Sequence, residues 1–264
     1  MNLRKKIAKS ILGKQRFQNL FEYLYKISLK GMNYGNGGDF NESGELNVLK
    51  YINEKLKFEK ALTIFDVGGN IGNYSKALSE IFTSNAIIHS FEPSKKTFEL
   101  FLKTTNNITN IIPNNFGMSD VENHQLLFTD KDGSGLASVY QRKLDHCGIS
   151  MNKSEEIKLT TLDLYTKTNN INRINFLKLD IEGHELNALI GAKELIRNKQ
   201  IDYIQFEFGG CHIDSKIYFR DFFMLLKENY KIYRVLKDGL FEIKSYKETY
   251  EIFTTINFLA IKKQ

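Results

Sequence analysis

The apolar positions change period several times along the chain, and each change marks an element. From residue 63 onward, short apolar runs alternate with stretches of helical spacing. Residues 63–67 read as a buried strand, TIFDV, closed by Gly68 and Gly69. Ile71, Tyr74, Leu78, Ile81 and Phe82 then recur as one helical face. A second strand covers 86–92 and ends at Pro93, with Ser94 placed to cap a helix bearing Phe98, Phe101 and Leu102. A third strand is expected over 110–113. Regular order returns with strands over 174–180 and 201–207, a helix over 184–197 between them, a helix over 218–228, and strands over 230–236 and 253–261. Residues 124–158 are harder to read; short strands over 125–129 and 157–161 flank the loop 134–138.

Strands separated by amphipathic helices imply right-handed βαβ crossovers and an α/β fold, Rossmann-like and doubly wound around a mostly parallel sheet. At 264 residues the chain suits one large core rather than two. Residues 61–264 are expected to form the catalytic domain and 1–60 an N-terminal helical extension and cap. The extension carries a helix from about Ser43, with Leu46, Leu49, Ile52 and Leu56 on one face. Before it, Leu3, Ile7, Ile11, Leu12, Phe17, Leu20, Phe21 and Leu24 recur at helical spacing. The favoured expectation is that they pack on the body. The alternative is an amphipathic helix lying on an anionic membrane.

Charge adds to that picture. Residues 1–30 hold eight Lys/Arg against Glu22 alone, so they carry +7 of a total of +6 and the remaining chain is near −1. A basic groove for nucleic acid across the body is therefore not expected. Cys147 and Cys211 have neither disulfide nor metal-ligand spacing, which fits a reducing compartment. No signal-peptide pattern or membrane-length apolar run is read, so the expected location is cytoplasmic, with contact at the inner membrane face left open.

The candidate chemistry sits at strand ends. Asp66, Glu92, Asn115, Asp180 and Glu207 each fall at or just after a predicted strand terminus, where ligands bind in doubly wound sheets. The run DVGGNIG departs from G-x-G-x-x-G, and an acid two residues before its turn would oppose a pyrophosphate. A phosphate-free cationic nucleoside, S-adenosylmethionine, suits it better. Glu92, 24 residues after Gly68, is placed to accept from ribose hydroxyls. Separately, Asp66 could be a capping or solvated acid and Glu92 a surface one; the two together favour a site. An NAD-dependent oxidoreductase and an inactive binding scaffold remain as rival readings.

TIFDVGGNIGNYS, HSFEPS, NNFGMSD and FLKLDIEGHELNALIGA resemble the FkbM-type branch of class I S-adenosylmethionine-dependent methyltransferases. The resemblance implies a seven-stranded sheet with an antiparallel last strand. It also implies O-methylation of a hydroxyl-bearing sugar, glycolipid, glycan or secondary-metabolite acceptor. It places Asp66, Gly68 and Asn70 by the methionine part and Glu92 on the ribose. Asn115, Phe116 and Gly117 come beside the adenine, Asp180 at the transfer zone, and Glu45 in a position to close over the cofactor.

For acceptor activation the candidates are Asp180, Glu182, His184 and Glu207, as general base or as ligands of a divalent metal such as Mg²⁺. The residue types alone do not separate these two roles. Glu182 and Glu185 could instead serve only the helix N-terminus, and His212 reads as an ordinary loop histidine. Phe128, Tyr140 and Tyr34 could stack on a sugar, although packing is the expected role.

Overall fold

The computed structural model describes residues 10–36, 40 and 42–264. Leu3, Ile7 and the basic residues Arg4, Lys5, Lys6 and Lys9 lie outside that set. The helices are α1 (Gln18–Gly31), α2 (Glu45–Leu56), α3 (Asn73–Phe82), α4 (Lys95–Thr104), α5 (Leu162–Thr168), α6 (Glu185–Ile190), α7 (Lys193–Arg197), α8 (Cys211–Ser215) and α9 (Phe219–Leu226). The strands are β1 (Leu62–Val67), β2 (Ala86–Phe91), β3 (Ile111–Asn114), β4 (Gly117–Met118), β5 (Asn123–Thr129), β6 (Lys153–Thr160), β7 (Ile174–Leu179), β8 (Ile201–Phe208), β9 (Tyr230–Leu236), β10 (Gly239–Ile243) and β11 (Ile256–Lys262).

The main sheet runs β10-β9-β11-β8-β7-β1-β2-β3. β1 pairs in parallel with β2 on one side and β7 on the other, so the strand order reverses around it. That reversal opens a crevice at the carboxyl ends of these strands. β11 is antiparallel to both β8 and β9, as expected of the last strand. The strand count differs from the expected seven. β10 pairs antiparallel with β9 as an outer hairpin, making eight, and its mixed sequence GLFEI lacks the apolar run that identified the others.

Both faces of the sheet are covered, and the strand period sorts the core into two layers. Ile64 packs with Leu49, Ile52, Leu78 and Phe101, whereas its neighbour Phe65 packs on the opposite face with Leu177, Phe206 and Phe222. A smaller sheet, β4-β6-β5, carries residues 117–160 and has its own apolar cluster of Leu127, Ile157 and Leu159.

Two local expectations need correction. The helix expected over 184–197 is two short ones, because Asp163 from α5 caps the second: its carboxylate accepts from the backbone of Glu194 and Leu195 at 2.9 and 3.0 Å. Leu20 and Leu24 do not pack on the body but stand 49% and 45% exposed on α1.

Gly191, at the break between α6 and α7, sits against the exit of β4. A Cβ there would lie 2.0 Å from the Ser119 carbonyl oxygen. Gly191→Ala should therefore cost about 1–3 kcal/mol through overpacking, measured as a lowered urea midpoint.

Candidate active site

The turn after β1 fixes the site's floor. Gly68 has φ 90°, and a Cβ on it would lie 1.9 Å from the Asp180 carbonyl oxygen, so only glycine fits. Three of the turn's amides are used within the protein. Gly68 and Gly69 donate to the Phe91 carbonyl at 3.0 and 2.9 Å, and Asn70 donates to Glu92 Oε2 at 3.0 Å. Glu92 Oε1 accepts from Ser94 N at 2.9 Å. Burial pushes the Glu92 carboxyl up to about 7, against the lowering effect of those two N–H groups.

Gly68, Asn70, Glu92 and Gly117 line one cavity of about 660 Å³ together with Asp180, Glu182, His184 and Glu207. The remaining four predicted residues do not line it. Asp66 lies beneath it, fully buried, accepting from Ser75 Oγ at 2.5 Å and facing Lys178 Nζ at 3.8 Å. The reason is register: Asp66 on β1 is paired with Lys178 on β7. Glu45 is tied down rather than closing over the cavity, accepting from Ser43 Oγ at 3.0 Å and Gln205 Nε2 at 2.8 Å. The Asn115 side chain donates to the Glu92 and Pro93 carbonyls, and Phe116 packs against Phe91 and Tyr165.

Lys178 is the residue that sequence reasoning missed beneath this floor. Its ammonium is buried, 3.1 Å from Asp180 Oδ2 and 4.3 Å over the Tyr74 ring. The neighbouring acids Asp180, Asp66 and Glu45 outweigh burial and push its pKa up. A lysine between Leu177 and Leu179 in a buried strand was the available signal, since a buried cation needs an acid partner.

After β7 the chain turns sharply, with Glu182 at φ 52° and Gly183 at φ 103°. Glu185 holds this turn by accepting from Ile181 N and Gly183 N at 2.8 and 3.0 Å, so its role is structural. Glu182 instead meets the cavity and is bonded by Arg142 from the 130–152 connection. Burial and the Asp180 charge push Glu182 up to about 8 despite that guanidinium. Both His184 ring nitrogens are taken, Nε2 by Ser119 Oγ at 2.9 Å and Nδ1 by the Tyr140 hydroxyl at 3.0 Å. Burial lowers its pKa. Tyr140 thus positions His184. Tyr34 is buried, with the Arg234 guanidinium 5.3 Å over its ring. His212 is fully buried with Nε2 3.1 Å from Glu185 Oε2.

Glu207 differs from these. It is 9% exposed, lines the cavity, and its carboxyl has no hydrogen-bond partner among the described residues. Burial and the negative neighbours Asp180 and Glu182 push it well up. Cys211, also in the lining, has its thiol pushed up by burial. Cys147 and Cys211 are both free, as expected.

Ligand atoms of Glu182, Glu207 and Cys211 lie within 4.8 Å of one another, which is the set among the described residues able to hold a metal ion. A thiol is foreign to Mg²⁺, whose ligands are oxygens, and the Arg142 cation already occupies Glu182.

The reversed strand order, the antiparallel β11 and an acid-lined crevice at the strand tips define a Rossmann-like domain. The Methyltransferase FkbM domain matches residues 66–233, and the chain belongs to that family. Hexuronic acid methyltransferase AglP of Haloferax volcanii is 25% identical over 167 residues, covering 63% of this chain and 64% of that protein. The matched stretch thus spans less than two thirds of that relative. Methyltransferase FkbM from Methylobacillus flagellatus KT has a TM-score of 0.43 at 16% identity, over 76% of this chain and 44% of that one. An O-methyltransferase from Bacillus cereus, solved in complex with SAH, has a TM-score of 0.43 at 10% identity, over 98% and 96% of the two chains. Among the described residues no helix is long and apolar enough to cross a membrane.

Because Lys178 neutralises a fully buried carboxylate, Lys178→Met should destabilise the fold by about 3 kcal/mol or more. Adding Asp66→Asn should restore much of the loss, read as non-additivity in a double-mutant cycle by denaturant unfolding.

Proposed function

We propose that this chain binds S-adenosylmethionine in the strand-tip cavity and transfers its methyl group to a hydroxyl of a sugar, glycan or related small-molecule acceptor. The observation that carries the cofactor reading is the consumed turn. The amides of Gly68, Gly69 and Asn70 all donate to Phe91 and Glu92, so these three do not cradle a pyrophosphate, which counts against a dinucleotide. What the turn presents instead is a carboxylate. Glu92 has about four acceptor positions, two of them filled by backbone N–H groups, so two remain for a pair of ribose hydroxyls. The acids Asp180, Glu182 and Glu207 suit a ligand that is cationic rather than phosphorylated. The volume of about 660 Å³ fits a nucleoside plus part of an acceptor.

The cofactor supplies a methyl on a sulfonium, transferred by in-line displacement as the carbon–sulfur bond breaks and a carbon–oxygen bond forms. The protein's part is alignment and removal of the hydroxyl proton. Glu207 is the proposed proton acceptor because its carboxyl is unpaired and faces the cavity. Burial holds its carboxyl toward the neutral form, and a positive charge beside it favours the ionised, proton-accepting form. Asp180, held by Lys178, lines the same cavity as a fixed negative charge in the transfer zone. His184, with both nitrogens engaged, serves to position the turn. The hexuronic acid acceptor of the Haloferax volcanii relative supports a sugar as the substrate class.

Calorimetry with both cofactors tests the first half. S-adenosylmethionine should bind and NAD should not; the reverse result sinks the reading. Glu92 is ionised above about 7, and ribose hydroxyls donate to the ionised form. Affinity should therefore fall as pH drops below 7, by up to about tenfold per unit, and Glu92→Ala should be weak and flat across that range. For the second half, Glu207→Gln should lower kcat with a labelled methyl donor and a hydroxyl acceptor by about 100-fold while cofactor affinity is kept.

A further inference from the structure

Among the described residues, the outward face of α1 is apolar and unpartnered. Leu20, Tyr23, Leu24 and Ile27 fall at i, i+3, i+4 and i+7, one stripe of a helix with 3.6 residues per turn. They are 49%, 62%, 45% and 48% exposed. Leu29, the one buried residue of the helix, lies on the opposite side and faces the core. The helix therefore docks by its far edge and turns its apolar stripe to solvent, the reverse of what a helix packing on a body does. Lys26 and Lys30 border the stripe, and Lys14 and Arg16 precede it, all exposed.

We infer that this stripe is a docking surface for an anionic lipid bilayer. The occupant follows from charge. Residues 1–30 carry eight Lys/Arg and one acid, so a second copy of the chain seated on the stripe would bring two strongly positive segments together. A polynucleotide would answer the charge but leaves Leu20, Leu24 and Ile27 in water. A bilayer with anionic headgroups answers both, taking the leucine–isoleucine face into its interface while the lysines stay at headgroup level. The chain also links this helix to the cavity. Gly35, four residues beyond α1, lines the strand-tip cavity and is pinned to β11's approach by its N–H to the Thr255 carbonyl at 2.8 Å.

The test uses the full chain and vesicles, with no turnover measurement, so it stands or falls apart from the methyl-transfer reading. The chain should co-sediment with phosphatidylcholine vesicles containing about one-third phosphatidylglycerol and at least about tenfold less with phosphatidylcholine alone. Replacing Leu20, Leu24 and Ile27 together by Gln keeps helix propensity and the charge, and should lower vesicle binding at least about tenfold. Lys26→Gln with Lys30→Gln should weaken the preference for anionic lipid, since six of the eight basic residues of 1–30 remain. Undiminished vesicle binding by the triple variant would overturn the inference, since charge attraction alone would then suffice. So would a lipid-free dimer, seen by sedimentation, that the triple variant disperses, because the stripe would then be a contact between copies.

Discussion

One buried cation holds the floor of the site together. Lys178 sits on β7 between Leu177 and Leu179 and reaches Asp66 on β1 and Asp180 just past its own strand's end. An ammonium in that place without acids would be untenable, and so would the Asp66 carboxylate without the ammonium. Each justifies the other, and together they pin β1 to β7 at the point where the strand order reverses. The glycine turn rests on that joint: Gly68 lies against the Asp180 backbone so closely that any side chain would collide with it. From the turn, Asn70 and Ser94 aim Glu92 at the cavity. The site is thus built outward from a buried salt bridge of which only Asp180 lines the cavity.

Most of the sheet was legible because its strands are short continuous apolar runs between turn residues, the pattern of a sheet covered on both faces. β10 was not, since an outer hairpin strand with one wet face has no such run. The split of α6 from α7 was hidden for a different reason: the cap is Asp163, some thirty residues upstream, and local periodicity carries no trace of it. Ser94, by contrast, caps its own helix and was readable.

The site was legible at the level of strand tips and less so at the level of side-chain direction. Glu92, Asp180, Glu182, His184 and Glu207 all reach the cavity. Asp66 and Glu45 were rightly singled out as unusual acids, but the partners that turn them away from the cavity, Lys178 and Gln205, come from distant strands. Arg142 lies in a stretch with no recognisable period, and only its contact with Glu182 gives it meaning.

That aperiodic stretch matters beyond its contents. The 130–152 connection supplies Ser134, Leu136, Val139 and Arg142 to the cavity wall, and it hangs from the β5–β6 hairpin, which has an apolar cluster of its own. The half of the chamber made by strand tips rests on the main sheet and the other half on this hairpin, and Arg142 on Glu182 and Tyr140 on His184 bridge the two. A longer or shorter connection between β5 and β6 would reshape one wall and leave Glu92 and Asp180 where they stand. Such a division lets one wall of the chamber vary in sequence and length while the floor at the strand tips stays as it is.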